Sequence, residues 1–111
     1  MDDEFIRYVT FPLSVQTSID SKTVHNAVRG YVFDRTENRV GGGWLRFTDA
    51  DLIEAGGRVN AVFEGFLSPV FLEGLDRGSE INIRAGEYFA ADGILLDAVE
   101  SVDDDPAEEM E

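Results

Sequence analysis

The chain has 111 residues, with 23 acidic and 9 basic residues, one histidine and no cysteine, so its formal net charge is −14. This length fits one domain, and an apolar content of 43% is enough for a packed core. The composition excludes disulfide and thiolate chemistry, disfavours a histidine-based metal or catalytic site, and argues against nucleic acid or an anionic membrane as the main partner.

Most of the negative charge lies at the two ends of the chain. Residues 1–4 and 100–111 together hold 10 of the 23 acids and no base, whereas residues 5–99 hold 13 acids and all 9 bases, a sum of 9 − 13 = −4. We therefore expect an acidic N-terminal tail over 1–4, a folded domain over 5–99 and a disordered acidic C-terminal tail over 100–111. The acidic start and the lack of a long apolar run predict a cytoplasmic protein without a signal peptide or membrane span.

The pattern between the tails predicts β-strands. The runs that are rich in β-branched and aromatic residues, or that alternate with period two, are residues 5–15, 24–33, 59–64, 80–84 and 93–99. The side chains expected to face inward in the two clearest runs are Val59, Ala61, Phe63, Ile81 and Ile83. Pro12 predicts an edge or a break in the first run, because proline cannot donate a ladder hydrogen bond.

Glycine- and proline-containing segments separate these runs and predict the turns. The main breakers are Asp20-Ser21, Gly41-Gly42-Gly43, Gly56-Gly57, Ser68-Pro69, Gly78 and Ala85-Gly86-Glu87. Only residues 49–55 have a spacing compatible with helix, and they are enough for a single turn. Several short strands at intervals of about ten residues predict an all-β fold, a small closed antiparallel Greek-key barrel of six to seven strands.

Residues 79–99 carry a family resemblance. Ile83-Arg84-Ala85-Gly86 and Gly93 match the order strand, Ile-Arg-x-Gly turn, short strand and glycine before a final strand. This stretch resembles the last hairpin of the C-terminal β-barrel domain of elongation factor Tu. Weaker similarities over residues 54–59, 66–70, 11–15 and 30–31 extend the resemblance over 9–99.

The resemblance implies a stand-alone translation-factor barrel that binds protein partners without chemistry. The family's loops that lie toward tRNA are not matched, because residues 20–23 replace its Gly-Gly-Arg and Val32-Phe33 replace its Arg-Pro. The GTPase domain of that family is also absent from the chain. The resemblance therefore implies binding to a protein, and the unmatched loops argue against binding to tRNA.

No motif for catalysis, a cofactor or a metal is complete. The triple glycine is not followed by the Lys-Ser/Thr of a phosphate loop, and His25 has no cysteine or second histidine to pair with. The acids near Asp49 lack calcium-loop spacing, and Arg35-x-x-x-Arg39 is only half of the motif that PilZ domains use for a cyclic dinucleotide. We expect no enzyme, no cofactor and no metal site.

Aromatic and arginine residues near predicted loops are the candidate contact residues. They are Tyr31, Trp44, Arg46, Arg84 and Tyr88. Large aromatic side chains mostly pack inward, and the functional alternative is a patch of the residue types enriched at protein-binding hot spots.

Two hypotheses for function follow. The first is a non-enzymatic protein-binding barrel, and the second is an acidic inhibitor or immunity-type protein that neutralises a basic effector such as a nuclease toxin. Both predict a protein partner, which is basic in the second hypothesis, and both leave the oligomeric state open.

Overall fold

A computed structural model describes residues 7–101 of the chain. Over these residues the backbone forms β1 (Arg7–Thr17), β2 (Val24–His25), β3 (Val28–Phe33), β4 (Arg39–Phe47), β5 (Leu52–Ile53), β6 (Arg58–Leu67), α1 (Pro69–Leu72), β7 (Glu80–Ala85), β8 (Phe89–Leu95) and β9 (Glu100–Ser101). Within residues 7–101 there is no helix with the length and apolar character needed to cross a membrane.

Six strands close into an antiparallel barrel. Their order around the barrel is β1-β6-β4-β3-β7-β8, and β8 pairs back onto β1. The longest pairing joins β1 to β6, from Arg7 opposite Leu67 to Gln16 opposite Arg58. Closure gives each of the six strands a partner on both sides and removes the exposed edges that an open sheet would present. The predicted all-β closed barrel is therefore confirmed.

Alternate residues of the six strands fill the barrel. The rings of Phe11 and Phe63, which are opposite each other on the neighbouring strands β1 and β6, stack inside the barrel with centroids 5.2 Å apart. The inward positions predicted on β6 and β7 are confirmed, since all five are buried. The largest fully buried side chains are Phe11, Phe63, Phe89, Leu13, Leu45, Ile53, Leu67, Ile83 and Leu95.

Strand β1 runs through Pro12 without a break. Val9 and Thr10 pair with β9, whereas β1 pairs with β8 only from Leu13 onward, so Pro12 lies where β1 changes partner on that side. Its carbonyl still accepts a hydrogen bond from the Leu96 amide at 2.9 Å. The strand itself is therefore not broken at Pro12, but the pairing on that side is interrupted there, and the missing N–H falls in the gap between the two pairings.

The prediction that residues 41–43 form a loop is also wrong, because they lie inside β4. Gly43 is opposite Gly30 on β3 and opposite Gly65 on β6. A β-carbon on Gly43 would collide with the Glu64 carbonyl oxygen and lie 2.5 Å from the Gly65 Cα. Here glycine permits β4 and β6 to approach closely, which is one of the uses of glycine within strands.

Two further segments differ from their predictions, because pairing between strands outweighed the local preference of the sequence. Residues 49–55 contain β5 instead of a helical turn, and β5 pairs with β2 through Val24 opposite Ile53. Residues 24–33 are consequently two strands, one in this ribbon and one in the barrel.

The last part of the barrel also has different bounds from those predicted. Strand β8 begins at Phe89 and not at residue 93, and it ends at Leu95. The short helix α1 was not predicted. It begins after Ser68 with proline at its first turn, and the Leu72 amide donates to the Ser68 carbonyl at 2.9 Å.

The two acidic tails lie largely outside the described residues. Of the predicted C-terminal tail, only Glu100 and Ser101 are described, and they pair with Thr10 and Val9 of β1. Residues 1–4 and 102–111 are not described.

Adding a single methyl group at Gly43 tests the close approach of β4 and β6. We expect Gly43→Ala to lower the free energy of unfolding by about 3 kcal/mol, as overpacking does when backbone atoms must move. Gly74→Ala is the matched control, since the nearest atom to its new β-carbon, the Phe71 carbonyl oxygen, is 3.9 Å away. Urea denaturation of both variants measures the effect, and equal stability of the two would contradict this account of β4.

Candidate functional site

The barrel register places one outward-facing row of side chains across five strands. Tyr8 on β1 is opposite Phe66 on β6, Phe66 is opposite Gly42 on β4, and Gly42 is opposite Tyr31 on β3. Tyr31 is in turn opposite Arg84 on β7. Because successive residues of a strand point to opposite faces, these residues share the outer surface of the barrel.

A second outward row lies two residues further along the strands. It places Glu64 on β6 opposite Trp44 on β4, and Trp44 opposite Arg29 on β3. Between the two rows lie the inward-facing glycines at 30, 43 and 65, which together with Gly42 line the space between the rows. The result is a surface groove of about 750 Å³ with aromatic walls and a glycine floor, which we call the aromatic groove.

Four aromatic side chains form the walls of the aromatic groove. Tyr31, Trp44 and Phe66 are 50%, 43% and 51% exposed, and Tyr8 is half-buried. The rings of Tyr8 and Phe66 pack at 58° with centroids 4.8 Å apart, a tilted arrangement that aromatic pairs favour. On the other wall, the Tyr31 ring lies over Gly42, where a β-carbon would be only 3.0 Å from its Cδ1 atom.

Arginine side chains lie against two of these rings. The guanidinium carbon of Arg39 is 4.5 Å from the ring centroid of Tyr31, and that of Arg29 is 6.0 Å from the ring centroid of Trp44. Both distances fall within the range in which a cation is attracted to an aromatic face. The arginines therefore hold the aromatic walls in place and add positive charge along one side of the groove.

A hydrogen bond between two strands forms the polar end of the groove. The Tyr8 hydroxyl donates to Glu64 Oε2 at 2.8 Å. This hydrogen bond, together with partial burial and the negative charge of Glu64, raises the pKa of Tyr8 above its ordinary value of 10.0, while Arg46 opposes the rise. The phenol thus stays protonated and orients the carboxylate across the groove.

The structure brings some of the sequence candidates together. Tyr31 and Trp44 form one wall of the aromatic groove, and Arg46 is exposed two residues beyond Trp44 on the same face of β4. Arg84 is beside Tyr31, but its side chain is already engaged by Glu37 at 2.8 Å.

Tyr88 does not belong to this group. It lies in the turn between β7 and β8, where it is 44% exposed and its carbonyl accepts a hydrogen bond from the Lys22 amide. Tyr88 does not line the aromatic groove. Of the five candidate contact residues, Tyr31 and Trp44 are the two that do.

Sequence reasoning missed Tyr8, Phe66, Glu64 and Arg29. A signal for Phe66 was present, because extending the inward alternation of Val59, Ala61 and Phe63 by period two places residue 66 outward. Tyr8 gave no such signal, since only the β1–β6 pairing brings it against Phe66.

A second surface groove of about 760 Å³ lies near α1. Its apolar lining includes Val70, Phe71 and Leu75. None of the five candidate contact residues lines this groove, and its lining includes one arginine, Arg35. The aromatic groove combines the tyrosine, tryptophan and arginine side chains that are enriched at binding hot spots, and it is the stronger candidate.

Residues 7–101 bring no group of three or more histidine, cysteine, aspartate or glutamate side chains into metal-binding proximity. The candidate site within this part of the chain is a surface groove on a small antiparallel barrel. Comparison with protein-family models and with curated proteins finds no match to the chain.

The Tyr8–Glu64 hydrogen bond predicts how stability depends on alkaline pH. Because the folded protein raises the pKa of Tyr8 above 10.0, its stabilising contribution is complete below pH 10 and is lost as the pH rises through the folded-state pKa. We expect the free energy of unfolding of Tyr8→Phe to fall less steeply than that of the wild type above pH 10. Urea denaturation between pH 8 and about pH 11 measures this, and parallel curves for the two proteins would contradict the assignment.

Proposed function

We propose that the chain is a non-enzymatic protein-binding module that contacts its partner through the aromatic groove. The observation that carries the proposal is the exposure of three large aromatic side chains, Tyr31, Trp44 and Phe66, around a floor of glycine backbone. Rigid strands hold these rings, so little conformational entropy is lost when a partner covers them. The resemblance to the elongation factor Tu barrel, whose partners include proteins, supports the same class of function.

The charge around the groove indicates the chemistry of the partner. Four arginines lie on or beside this face, Arg29, Arg39, Arg46 and Arg84, against the two acids Glu37 and Glu64, a sum of 4 − 2 = +2. The whole chain sums to −14, so this face has the opposite sign to the rest of the protein. We infer that the partner presents an acidic segment with apolar side chains.

A protein segment fits the groove better than single-stranded nucleic acid. Bases bind such proteins by stacking on free aromatic faces, but the guanidinium groups of Arg39 and Arg29 already lie over the rings of Tyr31 and Trp44. Tyr8 and Phe66 pack on each other in the same way. An extended acidic segment needs only the ring edges and the arginine donors.

Alanine substitution at Trp44 tests the proposal. Immobilised full-length protein captures partners from its native lysate, and mass spectrometry compares wild type, Trp44→Ala and Tyr88→Ala. We expect Trp44→Ala to weaken binding of the captured partner by at least about 2 kcal/mol, roughly 30-fold in affinity, as substitution of hot-spot aromatic residues does. Tyr88→Ala is the matched control, because Tyr88 is equally exposed at 44% but lies outside the groove. Equal loss from both variants, or from neither, would remove the groove as the contact surface.

The charge of the captured partner separates this proposal from the second hypothesis. An acidic partner whose binding needs Trp44 supports the groove. A basic partner that is lost when the acids of residues 100–111 are neutralised, and that is insensitive to Trp44, supports an acidic inhibitor or immunity-type protein instead. Retention of a nucleic acid, abolished by nuclease treatment of the lysate, would contradict both hypotheses.

A further inference from the structure

The described part of the chain ends close to the aromatic groove. Strand β9 runs antiparallel to β1, and its last residue, Ser101, is opposite Val9. Val9 is adjacent to Tyr8, which forms a wall of the groove together with Phe66. The direction of β9 is toward the start of β1, where the row from Tyr8 to Tyr31 crosses the barrel.

The ten residues that follow have the chemistry expected of a ligand for this face. Residues 102–111, Val-Asp-Asp-Asp-Pro-Ala-Glu-Glu-Met-Glu, carry six acids and no base, a charge of −6, with apolar side chains at Val102 and Met110. The face around the groove carries +2. This is the combination of acidic and apolar groups inferred above for the partner.

The length of this segment is sufficient to cross the groove. Neighbouring strands are about 4.8 Å apart, so the path from β9 over β1, β6 and β4 to β3 spans about 19 Å. Ten residues reach about 33 Å when extended. The segment can therefore pass Tyr8 and Phe66 and place its later acids near Arg29 and Arg39.

We propose that residues 102–111 occupy the aromatic groove of their own chain and compete with the partner for it. The inference rests on the proposed function, because it names a competitor for the same surface. The tail is a tethered ligand with an effective concentration of the order of millimolar, so weak contacts suffice. If it fills the groove about 90% of the time, the apparent affinity for the partner falls about tenfold.

Trp44 provides a direct probe of this occupancy, since it is the only tryptophan in the chain and forms a wall of the groove. The test variant keeps the full chain and removes five tail charges by the substitutions Asp103→Asn, Asp104→Asn, Asp105→Asn, Glu108→Gln and Glu109→Gln. We expect acrylamide, a neutral quencher, to quench Trp44 fluorescence more strongly in this variant than in the wild type at low salt. A synthetic peptide of residues 102–111, added at about millimolar concentration, should restore the weaker quenching.

Salt and a matched variant provide the controls. The Debye length shrinks from about 30 Å at 0.01 M salt to about 3 Å at 1 M, so the difference between the two proteins should disappear at high salt. The control variant also loses five charges, at exposed acids that do not line the groove, by the substitutions Asp20→Asn, Asp51→Asn, Glu54→Gln, Glu73→Gln and Glu87→Gln. Its quenching should equal that of the wild type.

Equal quenching of the wild type and the tail variant at low salt would overturn the proposal. So would a rise of equal size in the control variant, because that would be an effect of net charge alone. A rise that varies with protein concentration would contradict a tail bound within its own chain and would indicate the groove of a second copy.

The same variants distinguish failure of this inference from failure of the proposed function. If neutralising the tail leaves both Trp44 quenching and partner affinity unchanged while Trp44→Ala still abolishes capture, only the competing tail is disproved. If the tail variant changes quenching but no captured protein depends on Trp44, the tail binds a groove that has another use, and the proposed function fails instead.

Discussion

The close approach of β4 and β6 at Gly43 and Gly65 is the constraint on which the rest of the structure depends. At Gly43 and Gly65 a β-carbon would meet the backbone of the neighbouring strand, so no other residue type fits without a backbone shift. The absence of side chains also makes room inside the barrel, where the Phe63 ring lies 2.9 Å from the position of a β-carbon on Gly65. The stacked core rings and the close strand spacing thus require the same glycines.

The outer surface depends on a different glycine. Gly42 faces outward between Phe66 and Tyr31 and leaves these rings standing above the backbone, and closure of the barrel fixes their spacing. Tyr31 covers Gly42, Phe66 packs against Tyr8, and arginines lie over two of the rings. The groove is therefore formed by strands that are held rigidly on both sides, which lowers the entropy lost when a ligand covers it.

Acidic and basic side chains are distributed unevenly over the protein. The sequence concentrates 10 of its 23 acids near the ends, and the fold gathers Arg29, Arg39 and Arg46 around one groove. A protein that is acidic overall therefore presents a basic face. Ser101, the last described residue before the acidic segment, lies opposite Val9 and thus near that face, a placement that composition does not reveal.

Local pattern alone determined that this chain is a small antiparallel barrel, because period-two alternation in β6 and β7 and the spacing of the turns require only nearest neighbours along the chain. The same information misassigned Gly41–Gly43 as a loop and residues 49–55 as a helical turn, and it grouped Tyr88 with Trp44. For the first two segments the deciding contact joins residues far apart in sequence, Gly43 with Gly65 and Ile53 with Val24. Glycine gives the same local sequence signal in a turn and in a crowded strand. Only the close approach of strands in the tertiary structure decided that residues 41–43 are strand, and that approach also decided where the aromatic groove lies.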